Sequence, residues 1–266
     1  MTATPAPLLR STVYGDTEID LDDPAEHFHE ASKLYPALGE RAGAGMARLA
    51  ASAALQTLSG RPGRLNRQLP AIALDPPEPT PASLWSTLTA RRSRRAGELR
   101  VLDRRALATL VAAAYGRSVE GRRTAPSGGA LYPLELYVVT RLVSDVPEGV
   151  FHVDPLRPAL EIVDERPVAN DLAGTTPMPE LLADAAAVVF FTAVFWRTRF
   201  KYGLRGYRFA LLEAGHASQN LLLAATALDV PALPLGGFFD TRVETLLGVD
   251  GVDESVLYGI VLGGVT

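Results

Sequence analysis

Within Trp196–Asp229, WRTRFKYGLRGYRFALLEAGHASQNLLLAATALD, a basic cluster runs straight into a long and nearly charge-free helix. Trp196–Arg208 holds four Arg, Lys201 and two Tyr. The helix that follows, Tyr207–Leu228, is rich in Ala and Leu and needs a core around it. Cations beside a buried helix lose hydration, so this arrangement is unfavourable unless an anion or a reaction uses those charges. The chain must therefore build a core around one long helix and put chemistry at its N-terminal end.

The chain has 266 residues, enough for one large domain or two small ones and for a core of useful size. Its formal net charge of −4 implies no general attraction to nucleic acid or to a membrane. Cysteine is absent, which removes disulfides, thiolate zinc sites, iron–sulfur clusters and cysteine nucleophiles together. The opening MTATPAPLLRSTVYGDTEID has no basic region followed by an apolar run, so no signal peptide is expected. The apolar segment Ala185–Trp196 is shorter than the ~20 residues of a membrane helix. The expectation is a soluble, cytoplasmic protein.

Residues 1–20 read as irregular. Asp23–Pro24 opens a short helix through AEHFHEASKLYP, and Ala42–Leu58 reads as a second helix. Gly60–Ser83 holds six Pro and two Gly, cannot sustain a helix, and is expected to be a connector or an extended surface arm. The boundary falls there, giving an N-terminal arm over 1–82 and the main domain over 83–266. Ser83 and Asp103 each precede a helix they can cap, LWSTLTARRS and RRALATLVAAAYG, the second stopping at Gly116. Leu134–Thr140 is rich in β-branched and aromatic residues and predicts a strand. Phe151–Val153 and Ala159–Val163 predict a hairpin, Pro179–Ala183 a short helix, and Ala187–Trp196 a buried strand. Asp240 is expected to cap the helix TRVETLLG, and Val256–Leu262 closes the chain as a strand. Helices and strands mix without a βαβ rhythm, so the fold class is α+β.

The sequence carries no GxGxxG after a strand, no GxxxxGK[ST] and no GxSxG, so no Rossmann site, P-loop or nucleophile elbow is indicated. His27 and His29 stand two apart near carboxylates; they read as polar residues on a helix or turn rather than as a metal site, and no metal is expected. His216 shares a helix face with Glu213 and Asn220 and reads as a satisfied buried histidine, in keeping with a subunit contact. Three short segments remain. ARRSRR, Ala90–Arg95, offers guanidiniums and a hydroxyl for a phosphate, or is a solvated charge run. APSGGALYP, Ala125–Pro133, is a small-residue loop whose Gly128 and Gly129 let backbone amides approach a flat ligand, or is an ordinary turn. PLGGF, Pro234–Phe238, repeats that pattern after a strand-like segment, with the same alternative. A phosphate patch with two glycine loops and no dinucleotide fingerprint suggests FMN.

Those segments, with FKYGLRGYRFALLEAGHASQNLLLAATALDV, PLGGFFDTRVETLLGV and the terminal VLYGIVLGG, resemble the nitroreductase superfamily, and within it the SagB-type dehydrogenases. The resemblance spans about residues 90–264, and FHEASKLYP is similar to the family's leader segment. It implies an α+β flavoprotein with a mainly antiparallel sheet flanked by helices, built as an intertwined homodimer with FMN at the subunit interface. It implies that Arg91, Arg92, Ser93 and Arg95 hold the FMN phosphate and ribityl oxygens. Pro126, Ser127, Gly128, Ala130 and Leu131, with Gly129 among them, would contact the flavin, and Leu235, Gly236 and Gly237 would face its N5 edge. Lys201 and Tyr202 match a Lys–Tyr pair of azoline oxidases, which turn thiazolines or oxazolines into thiazoles or oxazoles. One departure is the ending GGVT, where many nitroreductases carry basic residues for the phosphate. That role then moves to Arg91–Arg95, or to Arg122 and Arg123.

Aromatising an azoline takes a proton from Cα and a hydride equivalent from its neighbour. A lysine with a pKa of about 10.4 is a poor base at pH 7 unless burial or nearby cations lower it. Arg197, Arg199, Arg205 and Arg208 all lie close to Lys201 in sequence, so Lys201 is expected to be the base and Tyr202 to orient it or relay the proton. The substrate would be a ribosomal peptide, with a cyclodehydratase as partner, or an intermediate on a carrier protein, and O₂ the final acceptor. An NAD(P)H-dependent nitro- or quinone reductase is the alternative on the same fold, told apart by rapid anaerobic bleaching of the flavin with NADPH. A non-catalytic docking subunit of a peptide-modifying complex is another, told apart by failure to bind FMN.

Overall fold

The structure is a computed structural model that describes residues 23–35, 39–60, 63–117, 120 and 122–264. The reading of residues 1–20 lies outside them. Seven strands form one sheet in the order β1-β4-β3-β2-β5-β7-β6, with every neighbouring pair antiparallel. They are β1 Ala71–Ala73, β2 Leu134–Thr140, β3 Gly149–Val153, β4 Ala159–Glu165, β5 Ala187–Val194, β6 Ala232–Leu235 and β7 Glu254–Leu262. This is the expected α+β, mainly antiparallel architecture. Every residue of β2 is buried, because β2 is a central strand covered by a layer on each face.

The helices are α1 Pro24–Ala31, α2 Gly39–Ala51, α3 Ala53–Ser59, α4 Leu84–Ala90, α5 Arg104–Tyr115, α6 Ala169–Ala173, α7 Trp196–Tyr202, α8 Arg205–Ala227 and α9 Asp240–Leu247. Asp23, Ser83 and Asp103 cap α1, α4 and α5, each accepting a backbone amide of the first turn. The helix expected through Ala42–Leu58 is two helices, with a break at Ser52, whose hydroxyl accepts the amide of Leu55. Asp240 is the first residue of α9 rather than its cap, which is Phe239 without a side-chain bond. The expected strand Ala187–Trp196 stops at Val194, and α7 was not anticipated. Gly206 makes α7 possible: a Cβ there would lie 2.8 Å from the Thr198 carbonyl carbon, so only glycine lets α8 cross α7 this closely.

On one sheet face Leu134, Leu136, Val138, Val189 and Phe191 pack against α5 and α8. Helix α8 turns Ala210, Ala214, Ala217, Leu221 and Ala225 inward, a helical spacing whose small side chains seat the backbone close to the sheet. On the other face Tyr137, Val139, Val188 and Phe190 pack against Leu172 of α6 and Val243, Leu246 and Leu247 of α9. The connector supplies β1 at the sheet edge, paired with β4, and then crosses toward α4.

Candidate active site

Pro126–Leu131 and α7 meet at Gly129. A Cβ on Gly129 would stand 2.5 Å from Tyr202 Oη and 2.7 Å from Lys201 Nζ, so both side chains fill the space that glycine leaves open. The Lys201 ammonium nitrogen lies 5.1 Å from the Tyr202 ring centroid, and that ring packs edge-on against Phe209 of α8 at 5.0 Å. Gly128 rests on the same Phe209 ring, with 3.0 Å from its Cβ position to the ring edge. Two segments more than sixty residues apart in sequence, Gly128–Gly129 and Lys201–Tyr202, thus share one small volume.

The loop is held in an unfavourable backbone form. Gly129, Ala130 and Tyr132 have φ of +66°, +54° and +46°. For the two residues with side chains this left-handed form costs about 1–2 kcal/mol each. Several bonds hold it: the Ser127 hydroxyl accepts the Tyr132 amide at 2.9 Å, and the Ser127 carbonyl accepts the Ala130 amide at 3.1 Å. Below Ser127 lies Glu213, buried in α8 and hydrogen-bonded by the Tyr115 hydroxyl and by Ser127. Burial raises the Glu213 pKa from 4.5 to about 7, with the two hydrogen bonds opposing it. Asn220 donates to the Thr124 carbonyl at 3.3 Å, whereas His216 is exposed on the outward face of α8 in the single protomer.

A charge network absent from the sequence reading lies under the same end of the sheet. Arg197 Nη2 pairs with buried Glu135 at 2.5 Å, and its Nη1 donates to the Tyr132 carbonyl at 3.3 Å. Glu135 also accepts the Arg64 amide at 2.6 Å and meets His152 Nε2 at 3.0 Å. His152 Nδ1 meets Glu161 at 2.7 Å, and Asn66 donates to the same carboxylate at 3.1 Å. Burial disfavours charge on His152, but its bonds to the two glutamates outweigh that and raise its pKa from 6.5 to about 9. Burial likewise disfavours charge on Glu135, yet His152 and Arg197 hold it below its ordinary value. The available signal was Glu135, His152 and Glu161 standing in otherwise apolar strand patterns; their meeting depends on a register that sequence alone does not supply.

The other arginines near Lys201 in sequence also have partners. Arg199 lies over the Trp196 ring at 4.6 Å, Arg205 donates to the Ser32 carbonyl at 3.3 Å, and Arg208 Nε donates to the Ser32 hydroxyl at 2.7 Å. The basic cluster anchors α1 and the sheet rather than converging on the lysine. Arg123 donates to the Tyr115 carbonyl at 2.9 Å and lies over the Tyr115 and Tyr132 rings. Within one protomer it therefore packs beside the glycine loop, away from Arg91–Arg95.

Arg91, Arg92, Ser93 and Arg95 follow α4. The strip is fixed by Arg94, whose amide donates to the Ala232 carbonyl at 2.9 Å and whose guanidinium pairs with Asp229. Arg92, Ser93 and Arg95 are exposed beside it. From Ala232 the edge strand β6 leads to Leu235 and to exposed Gly236 and Gly237, about 17 Å farther at ~3.4 Å per residue. Arg91–Arg95 offers guanidiniums that could hold a phosphate, and Leu235–Gly237 offers bare backbone that could meet a ring edge. The Arg91–Arg95 strip and the Lys201–Gly129 cluster stand at opposite ends of α8. Between Phe209, at the cluster, and Asp229, at the strip, the helix runs about 30 Å.

Among the described residues, no cluster of three or more His, Asp or Glu is placed to hold a metal, and no helix is long and apolar enough to cross a membrane. The nitroreductase family model matches residues 88–264. A nitroreductase-named protein of Methanocaldococcus jannaschii is 36% identical over 167 residues, covering 62% of this chain and 84% of that relative. The microcin B17-processing protein McbC of Escherichia coli is 33% identical over 137 residues, 48% of this chain, and the match spans about half (49%) of McbC's own length. The E. coli microcin synthetase McbBCD complex, solved with truncated pro-MccB17 bound, contains a chain similar in fold, with a TM-score of 0.58, 24% identity and 98% of each chain covered. On the family match, which takes in most of the chain and both the glycine loop and the Lys201–Tyr202 segment, the protein belongs to the nitroreductase family.

Proposed function

We propose that this chain is an FMN-dependent oxidase that converts thiazoline or oxazoline rings of a peptide natural product into thiazoles or oxazoles. The observation that carries the proposal is the convergence of Lys201 and Tyr202 on Gly129, within the loop assigned to the flavin. A relative concerned with microcin B17 processing supports the peptide substrate, and the McbBCD assembly supports a synthetase partner such as a cyclodehydratase.

The working unit is a homodimer. One protomer separates the phosphate strip from the Lys201 cluster by the length of α8, so a composite site needs a second chain. The outward face of α8 bears exposed Leu211 and Leu212, and α4 bears exposed Leu84, Trp85 and Leu88. An apolar face of this kind is suited to an isologous contact. Two long helices packed antiparallel would bring the Arg91–Arg95 strip and Leu235–Gly237 of one protomer toward the Lys201 cluster of its partner.

Bound FMN supplies the acceptor for two electrons and the second hydrogen. Lys201 takes the Cα proton, and Tyr202 orients its side-chain nitrogen or relays the proton. The Ser127–Leu131 backbone would contact the flavin ring, and Glu213 and Tyr115 hold that loop in place. Lys201→Ala is expected to retain FMN and the dimer while losing azoline dehydrogenation by about 10²–10⁴-fold. Turnover close to wild type would remove the assignment.

A further inference from the structure

The N-terminal arm forms one wall of a cleft of ≈ 840 Å³ whose other wall is α7. Leu55 and Leu65 of the arm line it together with Trp196 and Phe200 of α7 and Leu131 of the glycine loop. Arg197 and Phe200 line the cleft, and Lys201 follows directly on the same helix, one turn beyond Arg197. The arm is seated tightly there: a Cβ on Gly45 of α2 would lie 2.0 Å from the Lys201 carbonyl oxygen.

We propose that this cleft binds the extended peptide on either side of the ring being oxidised, so that the arm is a substrate-binding element. This deepens the azoline-oxidase reading and rests on it. The volume is in the range of sites that enclose whole ligands and is too large for one five-membered ring. The walls are apolar, with Trp196 about half exposed (55%) and Leu65 at 36%. The two cations in the lining are already neutralised, Arg64 by Glu254 and Arg197 by Glu135. That charge balance disfavours the phosphate of a pantetheine arm and favours a neutral polypeptide. The guanidiniums keep N–H groups for peptide carbonyls, and the leucines and aromatics take apolar side chains.

The test measures binding to the FMN-loaded protein by calorimetry, with no turnover required. Three probes carry the same thiazole: a hexapeptide with the ring at its centre, the capped ring without flanking residues, and the ring joined to phosphopantetheine. The hexapeptide is expected to bind at least tenfold more tightly than the capped ring. Leu55→Glu and Leu65→Glu are each expected to abolish that advantage while binding the capped ring within twofold of wild type. Melting temperature and flavin absorbance verify that both variants fold, and Leu65→Glu stands alone if Leu55→Glu does not. Equal affinity for hexapeptide and capped ring, wild-type affinity in a folded variant, or tightest binding of the phosphopantetheine probe would each overturn the proposal. A protein that binds the hexapeptide as expected but oxidises no azoline peptide would keep the cleft and refute the activity.

Discussion

A methyl group placed on Gly129 tests the convergence at the candidate site directly. Two effects combine in Gly129→Ala. The backbone stays at φ +66°, which costs an alanine about 1–2 kcal/mol. The new methyl also meets Tyr202 Oη at 2.5 Å and Lys201 Nζ at 2.7 Å, both far ends of flexible side chains that give way by about 1 Å to reach ordinary contact. The fold therefore survives: a loss of this size lowers the melting temperature by roughly 2–8 °C in a chain of this length. Catalysis should suffer more, because a displacement of about 1 Å in a catalytic group costs on the order of 10²-fold. The assay is single-turnover azoline oxidation normalised to bound FMN, with a thermal melt alongside. A variant that melts a few degrees lower but oxidises within threefold of wild type would refute the argument that Lys201 and Tyr202 act at Gly129.

Glu213 predicts a pH dependence of stability. Its pKa rises on folding from 4.5 to about 7, so the folded state favours its protonated form. That contribution is complete below pH 4.5 and is lost as pH rises through 7, about 3 kcal/mol in all. Urea unfolding should show wild type losing up to that amount between pH 4.5 and 8 relative to Glu213→Gln; parallel profiles would contradict the buried carboxyl's role. At the other end of α8, Arg92→Ala and Arg95→Ala should each weaken FMN binding about tenfold, as expected for one charge-assisted phosphate contact. Flavin fluorescence titration measures this, and an unchanged Kd in the double variant would move the phosphate elsewhere.

The elements were legible where local signals are strong. Ser83 and Asp103 marked their helices, and β2 begins and ends where Leu134–Thr140 predicted. Helix α7 was missed because WRTRFKY has neither a cap nor an apolar period; it is held by Gly206 crossing Thr198 and ended by Gly203 at φ +56°. The glycine loop and the Lys–Tyr pair were each visible as motifs, but their meeting at Gly129 is a tertiary fact. The buried Glu135–His152–Glu161 chain depends on the register of three neighbouring strands. The arginines around Lys201 show the opposite failure, since closeness in sequence did not predict their ties to Glu135, Trp196 and Ser32.

The central claim is that each site is shared between two protomers, with Arg91–Arg95 from one and Lys201 from its partner. Co-expression of Lys201→Ala with Arg92→Ala/Arg95→Ala under two affinity tags tests it most directly. Each homodimer alone has every site impaired. In a shared-site dimer, half of the random pairs are mixed and each mixed pair regains one intact site, restoring roughly a quarter of wild-type activity. Doubly tagged mixed dimers with no more activity than the parent variants would contradict the account.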